Sequence, residues 1–313
     1  MSANELSYQS KKKSFWKLFY KQRYLQMLAI PGILLLLFFA YIPMLGLVIA
    51  FKNYRVIDTI LGAPWVGLDI FEKVLTDPSL ALAVRNTLVM SAISLLGGFP
   101  LTIIFALLIN EIKLMRFKRI TQTVSYLPHF ISWVILGGMI RNYLGLYGLV
   151  NNLLTSAHII KEPILFLGEP AMFWPIAFLT SQWKELGWST ILFLASMASI
   201  NPELYESADM DGAGRFRKMW HITLPGIKFT ISIVLILHIS QILNSNFDQI
   251  MVLSNTLNRS TSDVIDVFIY RLGLVYSQYS FATAAGLMKS IIALALLLLA
   301  NYGSKKLTDT SFL

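Results

Sequence analysis

Trp183-Lys184-Glu185-Leu186-Gly187-Trp188 sets two charges and two indoles inside an otherwise apolar stretch. At the centre of a bilayer each charge costs about 2.5–3.5 kcal/mol on insertion scales, so both side chains must face protein or water. Glu185 between Trp183 and Trp188 suits recognition of a hydroxylated solute: indole faces pack on sugar rings, and a carboxylate accepts hydroxyl hydrogen bonds. A structural ion pair between Glu185 and a lysine elsewhere suits the same residues. A second polar set comprises His238, Gln241, Asn244, Ser245, Asn246 and Asp248. The spacing 241, 244, 245, 248 puts one stripe on a helix, facing either a solute path or a neighbouring helix. Lys289 lies about eight residues into another apolar run, too deep to snorkel, and calls for an acidic partner such as Asp248 or Glu185. Trp183, Glu185, Trp188, Gln241, Asn244, Asp248 and Lys289 are therefore the candidate lining of a translocation path. His129, a lone histidine after Pro128, is expected to be a satisfied core residue.

Residues 201–225 carry a pattern suited to docking. Glu206-Ser207-Ala208-Asp209-Met210-Asp211-Gly212-Ala213 is a charged island between apolar stretches, closed by Ile222, Leu224 and Pro225. Asn201 suits an N-cap, Pro202 a first helical turn and Gly212 a helix end. The spacing therefore predicts a short helix before Gly212 and a second, basic one from about Gly214 to Trp220.

Catalytic patterns are missing. The chain has no G-x-x-x-x-G-K-[ST] phosphate loop; Gly212-Ala213-Gly214-Arg215 lacks both the spacing and the final pair. There is no H-E-x-x-H, no G-x-S-x-G and no cluster of histidines with carboxylates. Cysteine is absent, which excludes disulfides and thiolate metal sites. No chemistry is expected within this polypeptide, and the energy for any pumping must come from elsewhere.

The elements that would position these residues are membrane helices. Of 313 residues 56% are apolar and 14% charged, against about 25% charge in a soluble domain. A crossing needs about 20 apolar residues. Six spans are expected at roughly 26–50, 86–109, 121–141, 172–198, 229–251 and 281–302, an all-α polytopic fold. The first uncharged run, Tyr24 to Phe51, follows a basic stretch as a signal peptide would. It is longer than the roughly 7–15 apolar residues of one, so a retained span is expected. Of the 26 basic residues, sixteen fall in the termini and the two loops on their side. Eight fall in the three opposite loops. Positive-inside reasoning puts both termini and the 201–225 loop in the cytoplasm of a multi-pass cell-membrane protein. The net charge of +9 is thus a matter of topology and gives no reason to invoke nucleic acid.

Glu-x-Ala, three residues, Gly, nine residues, Ile-x-Leu-Pro resembles the EAA loop of ATP-binding-cassette (ABC) importer permeases, the inner-membrane components of binding-protein-dependent transport. Ser207 departs from the alanine usual there. Ala29-Ile30-Pro31-Gly32, Tyr41-Ile42-Pro43-Met44, Pro64-Trp65-Val66-Gly67-Leu68, and Tyr126 to Trp133 resemble the branch that imports oligosaccharides and polysaccharide fragments. The resemblance implies the type I importer (MetI-like) permease fold. It implies a basic N-terminal segment at 1–23, a first helix and extracytoplasmic loop at 24–84, and a five-helix core at 85–302. The coupling loop lies within that core, and a cytoplasmic tail follows at 303–313. It implies that Glu206, Ser207, Ala208, Asp211, Gly212, Ala213, Leu224 and Pro225 couple to an ATPase. Implied partners are a second permease, two ATP-binding subunits that hold ATP and magnesium, an extracytoplasmic solute-binding protein, lipid and a carbohydrate; no cofactor is implied in this chain. A secondary transporter driven by an ion gradient through Glu185, Asp248 and Lys289 is the competing reading. It leaves the loop around Gly212 unexplained.

Overall fold

The computed structural model describes residues 20–308 except 242 and 245, and it is helical almost throughout. Among the described residues the one strand-like pairing is a bridge between Lys52 and Trp65. Most of the basic segment 1–23 and the end of the tail lie outside the described residues, as does Ser245 of the polar stripe. The chain enters through α1 (Arg23–Leu36), helical onward to Phe51, then α2 (Asp69–Thr76). α3 (Pro78–Ile93) and α4 (Phe99–Asn110) form one long rod, followed by α5 (Met115–Tyr126), α6 (Trp133–Tyr143) and α7 (Leu149–Ser156). α8 (Pro170–Ser189) and α9 (Ile191–Ala198) lead to the loop helices α10 (Pro202–Met210) and α11 (Arg215–Lys218). Last come α12 (Lys228–Ser240), α13 (Phe247–Leu253), α14 (Arg259–Ser262), α15 (Ile265–Tyr270) and α16 (Tyr279–Thr308).

Three of the winding defects can be traced to proline. π turns at Leu37–Tyr41, Ser94–Gly98 and Met219–Thr223 each end two residues before a proline: Pro43, Pro100 and Pro225. A proline ring clashes with the carbonyl four residues earlier and offers no N–H to it. Those carbonyls belong to Phe39, Leu96 and His221, the central residues of the three turns. Widening the turn clears the ring, and the N–H of the residue before the proline bonds five residues back, as Phe99 N–H does to the Ser94 carbonyl.

The six expected spans are seen only in part as single straight helices. Among the described residues three helices are long and apolar enough to cross a membrane: Arg23–Phe51, Pro78–Asn110 and Tyr279–Leu299. The third expected span is a pair, Met115–Phe130 and Trp133–Tyr143, bent by 96°. Its break follows from Pro128, a 3-10 turn at Leu127–Phe130 and Ser132, which caps α6 by accepting from Val134 N–H. The fifth is also interrupted: α12 ends at Ser240, and helix resumes only at Phe247. α12 meets the preceding Arg215–Gly226 at 63°. The fourth, α8 with α9, runs on past Thr190 and carries Gln182, Lys184 and Glu185, which keep it from qualifying on apolarity.

Three apolar clusters hold these pieces. Ala50, Val74, Ala83, Phe268 and Ala284 join the end of the first helix to α2, α3, α15 and α16. Trp133, Phe173, Ala177, Ile250 and Leu253 join α6, α8 and α13, and Ala106, Phe193, Met197 and Ile227 close the end next to the 201–225 loop. Polar stitching complements them around the 253–265 segment. Asn86, fully buried, donates to the Ser260 and Asp263 carbonyls at 3.1 and 3.0 Å, while Trp174 Nε1 donates to the Thr261 carbonyl at 2.9 Å.

Candidate functional site

The 201–225 loop forms as its local sequence dictates. Asn201 Oδ1 accepts from Glu203 N–H at 3.1 Å, capping α10, and Pro202 occupies the first turn, where its missing N–H costs nothing. At the other end Gly212 sits at φ +71°. Gly212 N–H bonds the Asp209 carbonyl and Ala213 N–H the Ala208 carbonyl, the paired bonds of a Schellman cap. A Cβ on Gly212 would meet nothing within 4 Å, so the glycine answers to its backbone angle and not to crowding within this chain. Lys218 Nζ reaches Asp209 Oδ1 at 2.6 Å, and the Tyr205 hydroxyl pairs with Thr223 Oγ1 at 2.9 Å. These contacts fix α10 against α11. Glu206, Ser207, Asp211, Gly212 and Pro225 are exposed, while Ala208, Ala213 and Leu224 are half-buried. Met210, Phe216 and Trp220 stand 90%, 82% and 70% exposed on the same loop, an apolar surface left uncovered by the described residues.

The intramembrane candidates separate into two groups. Gln241, Asn244 and Asp248 line one cavity of about 470 Å³, with His238 from α12, Ser91 and Ser94 at the end of α3, and Ser181 and Gln182 from α8. Their predicted common helix does not exist, because the chain unwinds between Ser240 and Phe247. The unwinding itself turns these side chains toward one space. Asn244 Nδ2 donates to Gln241 Oε1, and Ser94 Oγ pairs with His238 Nε2 at 3.3 Å. Buried Gln249 anchors the restart of the helix to the α8 backbone, donating to the Ala177 carbonyl at 2.6 Å.

Glu185 and Trp188 do not line that cavity, and Trp183 lines a different, more apolar one with Val124, Ser125 and Pro128. Glu185 Oε2 pairs with His129 Nδ1 at 2.7 Å, and its other oxygen lies 3.2 Å from Lys184 Nζ. Trp188 stacks on the His129 ring at 4.3 Å. Lys184 donates to the His129 carbonyl and sits 5.7 Å above the Trp133 ring. Glu185 is engaged by His129 and the adjacent Lys184, and the lysine from elsewhere that a long-range ion pair would need is not among these partners. The cluster ties the bend after Pro128 to α8. Gly187 lets the two backbones meet: a Cβ there would lie 2.2 Å from the Ser125 carbonyl oxygen.

Lys289 pairs with neither Asp248 nor Glu185. Its ammonium bonds Asp266 on α15 and donates to Asn244 Oδ1 at 2.8 Å. The expectation failed because Asp266 lies beyond the expected fifth span and reaches the membrane helix only through the fold of 253–276. Sequence reading also passed over Asp263, buried and bound bidentately by Arg271 at 2.7 and 2.5 Å. That hydrogen bond raises the Arg271 pKa against the opposing effect of burial. Its only signal was an acid and a base eight residues apart.

The family described as the binding-protein-dependent transport system inner membrane component matches residues 98–309. Protein LplB of Bacillus subtilis (strain 168) is 43% identical over 287 residues, 91% of this chain and 90% of its own. The polygalacturonan/rhamnogalacturonan transport system permease protein YteP of the same organism is also 43% identical, over 91% of this chain and 89% of its own. A solved bacterial ABC transporter involved in the import of the acidic polysaccharide alginate aligns with TM-score 0.88 at 40% identity, over 95% of this chain and all of the matched one. A second structure, the alginate transporter in complex with a periplasmic protein bound to alginate pentasaccharide, aligns equally well at 39% identity. The chain belongs to the family of binding-protein-dependent transport system inner membrane components.

Proposed function

We propose that this chain is a permease subunit of an ATP-driven ABC importer for oligosaccharides or polysaccharide fragments. The observation that carries the reading is full-length likeness, in sequence and backbone, to a transporter whose cargo is a polysaccharide. An extracytoplasmic binding protein delivers the glycan, and two ATPase subunits, loaded with ATP and magnesium, supply the work. A second permease completes the path through the membrane. In this reading the chain crosses six times, two crossings being bent, with both termini and the 201–225 loop in the cytoplasm, as the distribution of basic residues supports. Glu206, Gly212 and their neighbours form the coupling surface, with Met210, Phe216 and Trp220 as its apolar contacts. ATPase closure would move this rigid helix pair as a body. The 63° junction at Ile227 passes the motion to α12 and so to the cavity edge at His238, Gln241, Asn244 and Asp248. Binding can shift such an equilibrium only through different affinity for the two states.

The gradient-driven alternative loses its motive. Two of its three charges, Glu185 and Lys289, are engaged by polar partners within the protein, Glu185 by His129 and Lys184 and Lys289 by Asp266. Uptake into proteoliposomes decides between the two: the proposed function requires ATP on the side of the loop and survives an ionophore. Uptake abolished by the ionophore with ATP present would sink it.

A further inference from the structure

Exported loops are poor in arginine and lysine, and in the orientation proposed above only Lys52, Arg55, Lys73, Arg85, Arg141, Lys161, Arg259 and Arg271 lie outside. Four of those eight converge on one short segment, residues 254–271. Arg85 donates to the Ser260 carbonyl at 2.7 Å, Arg141 donates to the Ser254 carbonyl at 3.2 Å, and Arg259 and Arg271 lie within the segment. Arg259 and Arg271 both line a cavity of about 280 Å³, together with Asn255, Thr256, Tyr270 and Tyr276. The acid in that lining, Asp263, is 2% exposed and fully engaged by Arg271. Arg259 is exposed, and its guanidinium meets no hydrogen-bond or ion-pair partner among the described residues. The cavity thus holds an uncompensated guanidinium, amide and hydroxyl groups, and two phenol rings. Its volume is near the low end of small-ligand pockets, which run from roughly 300 to 1,000 Å³, and matches one sugar ring better than a chain.

We propose that this cavity is an entry subsite for a carboxylate-bearing sugar residue, a uronate, with Arg259 as the group that binds the carboxylate. Guanidinium meets carboxylate in a planar, two-bond geometry that a neutral sugar cannot use. Tyr270 and Tyr276 offer faces to the ring, and Asn255 and Thr256 offer partners to its hydroxyls. Arg271, neutralised by Asp263, sets the cavity wall. Arg141, bonded to the Ser254 carbonyl, holds the rim. The subsite narrows the importer's cargo to acidic glycans, and it rests on the glycan-importer reading.

The test uses the complete importer with its binding protein in proteoliposomes, and galacturonate and mannuronate trisaccharides as probes. Arg259→Gln is expected to raise the half-saturating concentration for uronate uptake about tenfold, as loss of one charge-assisted hydrogen bond implies. Arg259→Lys should recover part of that loss, and docking of the sugar-free binding protein should not change. Undiminished uptake by Arg259→Gln would overturn the subsite. So would weaker docking of the sugar-free binding protein, which would give the cavity to an acidic side chain of that protein. Wild-type uptake of neutral oligosaccharides but not uronates would remove the subsite and leave the importer reading standing. Uptake of neither probe class, or uptake without ATP, would remove that reading and the subsite with it.

Discussion

Gly212 holds a positive φ, and a left-handed conformation costs a non-glycine L-residue about 1–2 kcal/mol. Gly212→Ala should therefore loosen the α10–α11 junction while leaving α10 capped at Asn201. Gly212→Asp should be milder on the backbone, since a short polar side chain is tolerated there, but should place a bulky anion on the coupling surface. Both variants are expected to assemble and to bind the loaded binding protein, yet to hydrolyse ATP without uptake; wild-type uptake by Gly212→Asp would remove this residue from coupling. Lys289 makes a different argument. Its pair with Asp266 links α16 to α15, and its bond to Asn244 holds the unwound edge of the large cavity. Removing one partner leaves a largely buried charge, so Lys289→Met should lower the thermal midpoint by an amount corresponding to about 1–3 kcal/mol. The double change Lys289→Met with Asp266→Leu should recover much of it. Additive losses in that cycle would show that the pair is not coupled.

At the scale of elements, what could be read from sequence was what is decided locally. The 201–225 loop was legible because an N-cap, a first-turn proline and a left-handed glycine act within a few residues of themselves. Asn201→Ala should accordingly cost about 1 kcal/mol of local stability, seen as faster proteolysis after α9 with no change in the rest of the chain. The unwound stretch between Ser240 and Phe247 was not legible, because apolar periodicity continues across it. What ends α12 is tertiary: Lys289 takes Asn244, and Gln249 is drawn to the Ala177 carbonyl of α8. The bend at Ile131 was not legible either. Pro128 lies inside what reads as one span at 121–141, and nothing in the sequence says that Lys184 will reach back to the His129 carbonyl and hold the angle. The Glu185–His129–Trp188 cluster belongs to the same category: each residue was singled out, and only the fold decides that they meet one another instead of a solute.

For the whole molecule, topology is the claim on which the coupling loop and the uronate subsite both depend, since each requires a particular side of the membrane. The same loop that offers Phe216 and Trp220 carries Arg215, Arg217 and Lys218, whereas the proposed orientation puts the arginines around residues 254–271 on the other side of the membrane. The first set follows the bias for basic residues to stay inside; the second runs against it, and a retained exception of that kind calls for a use. The chain contains no cysteine, so a single introduced thiol is the only one a maleimide can find. Glu203 on α10 and Glu162 before α8 are both exposed, and neither lines the cavities described here. In intact cells an impermeant maleimide should label Glu162→Cys and spare Glu203→Cys until the membrane is opened. The reverse pattern would invert the protein, set the 201–225 loop facing away from any ATP, and end the coupling and subsite proposals together. Labelling of both in intact cells would mean that the chain does not cross the membrane between Glu162 and Glu203, so that α8 and α9 would enter and leave on one side in place of a full span.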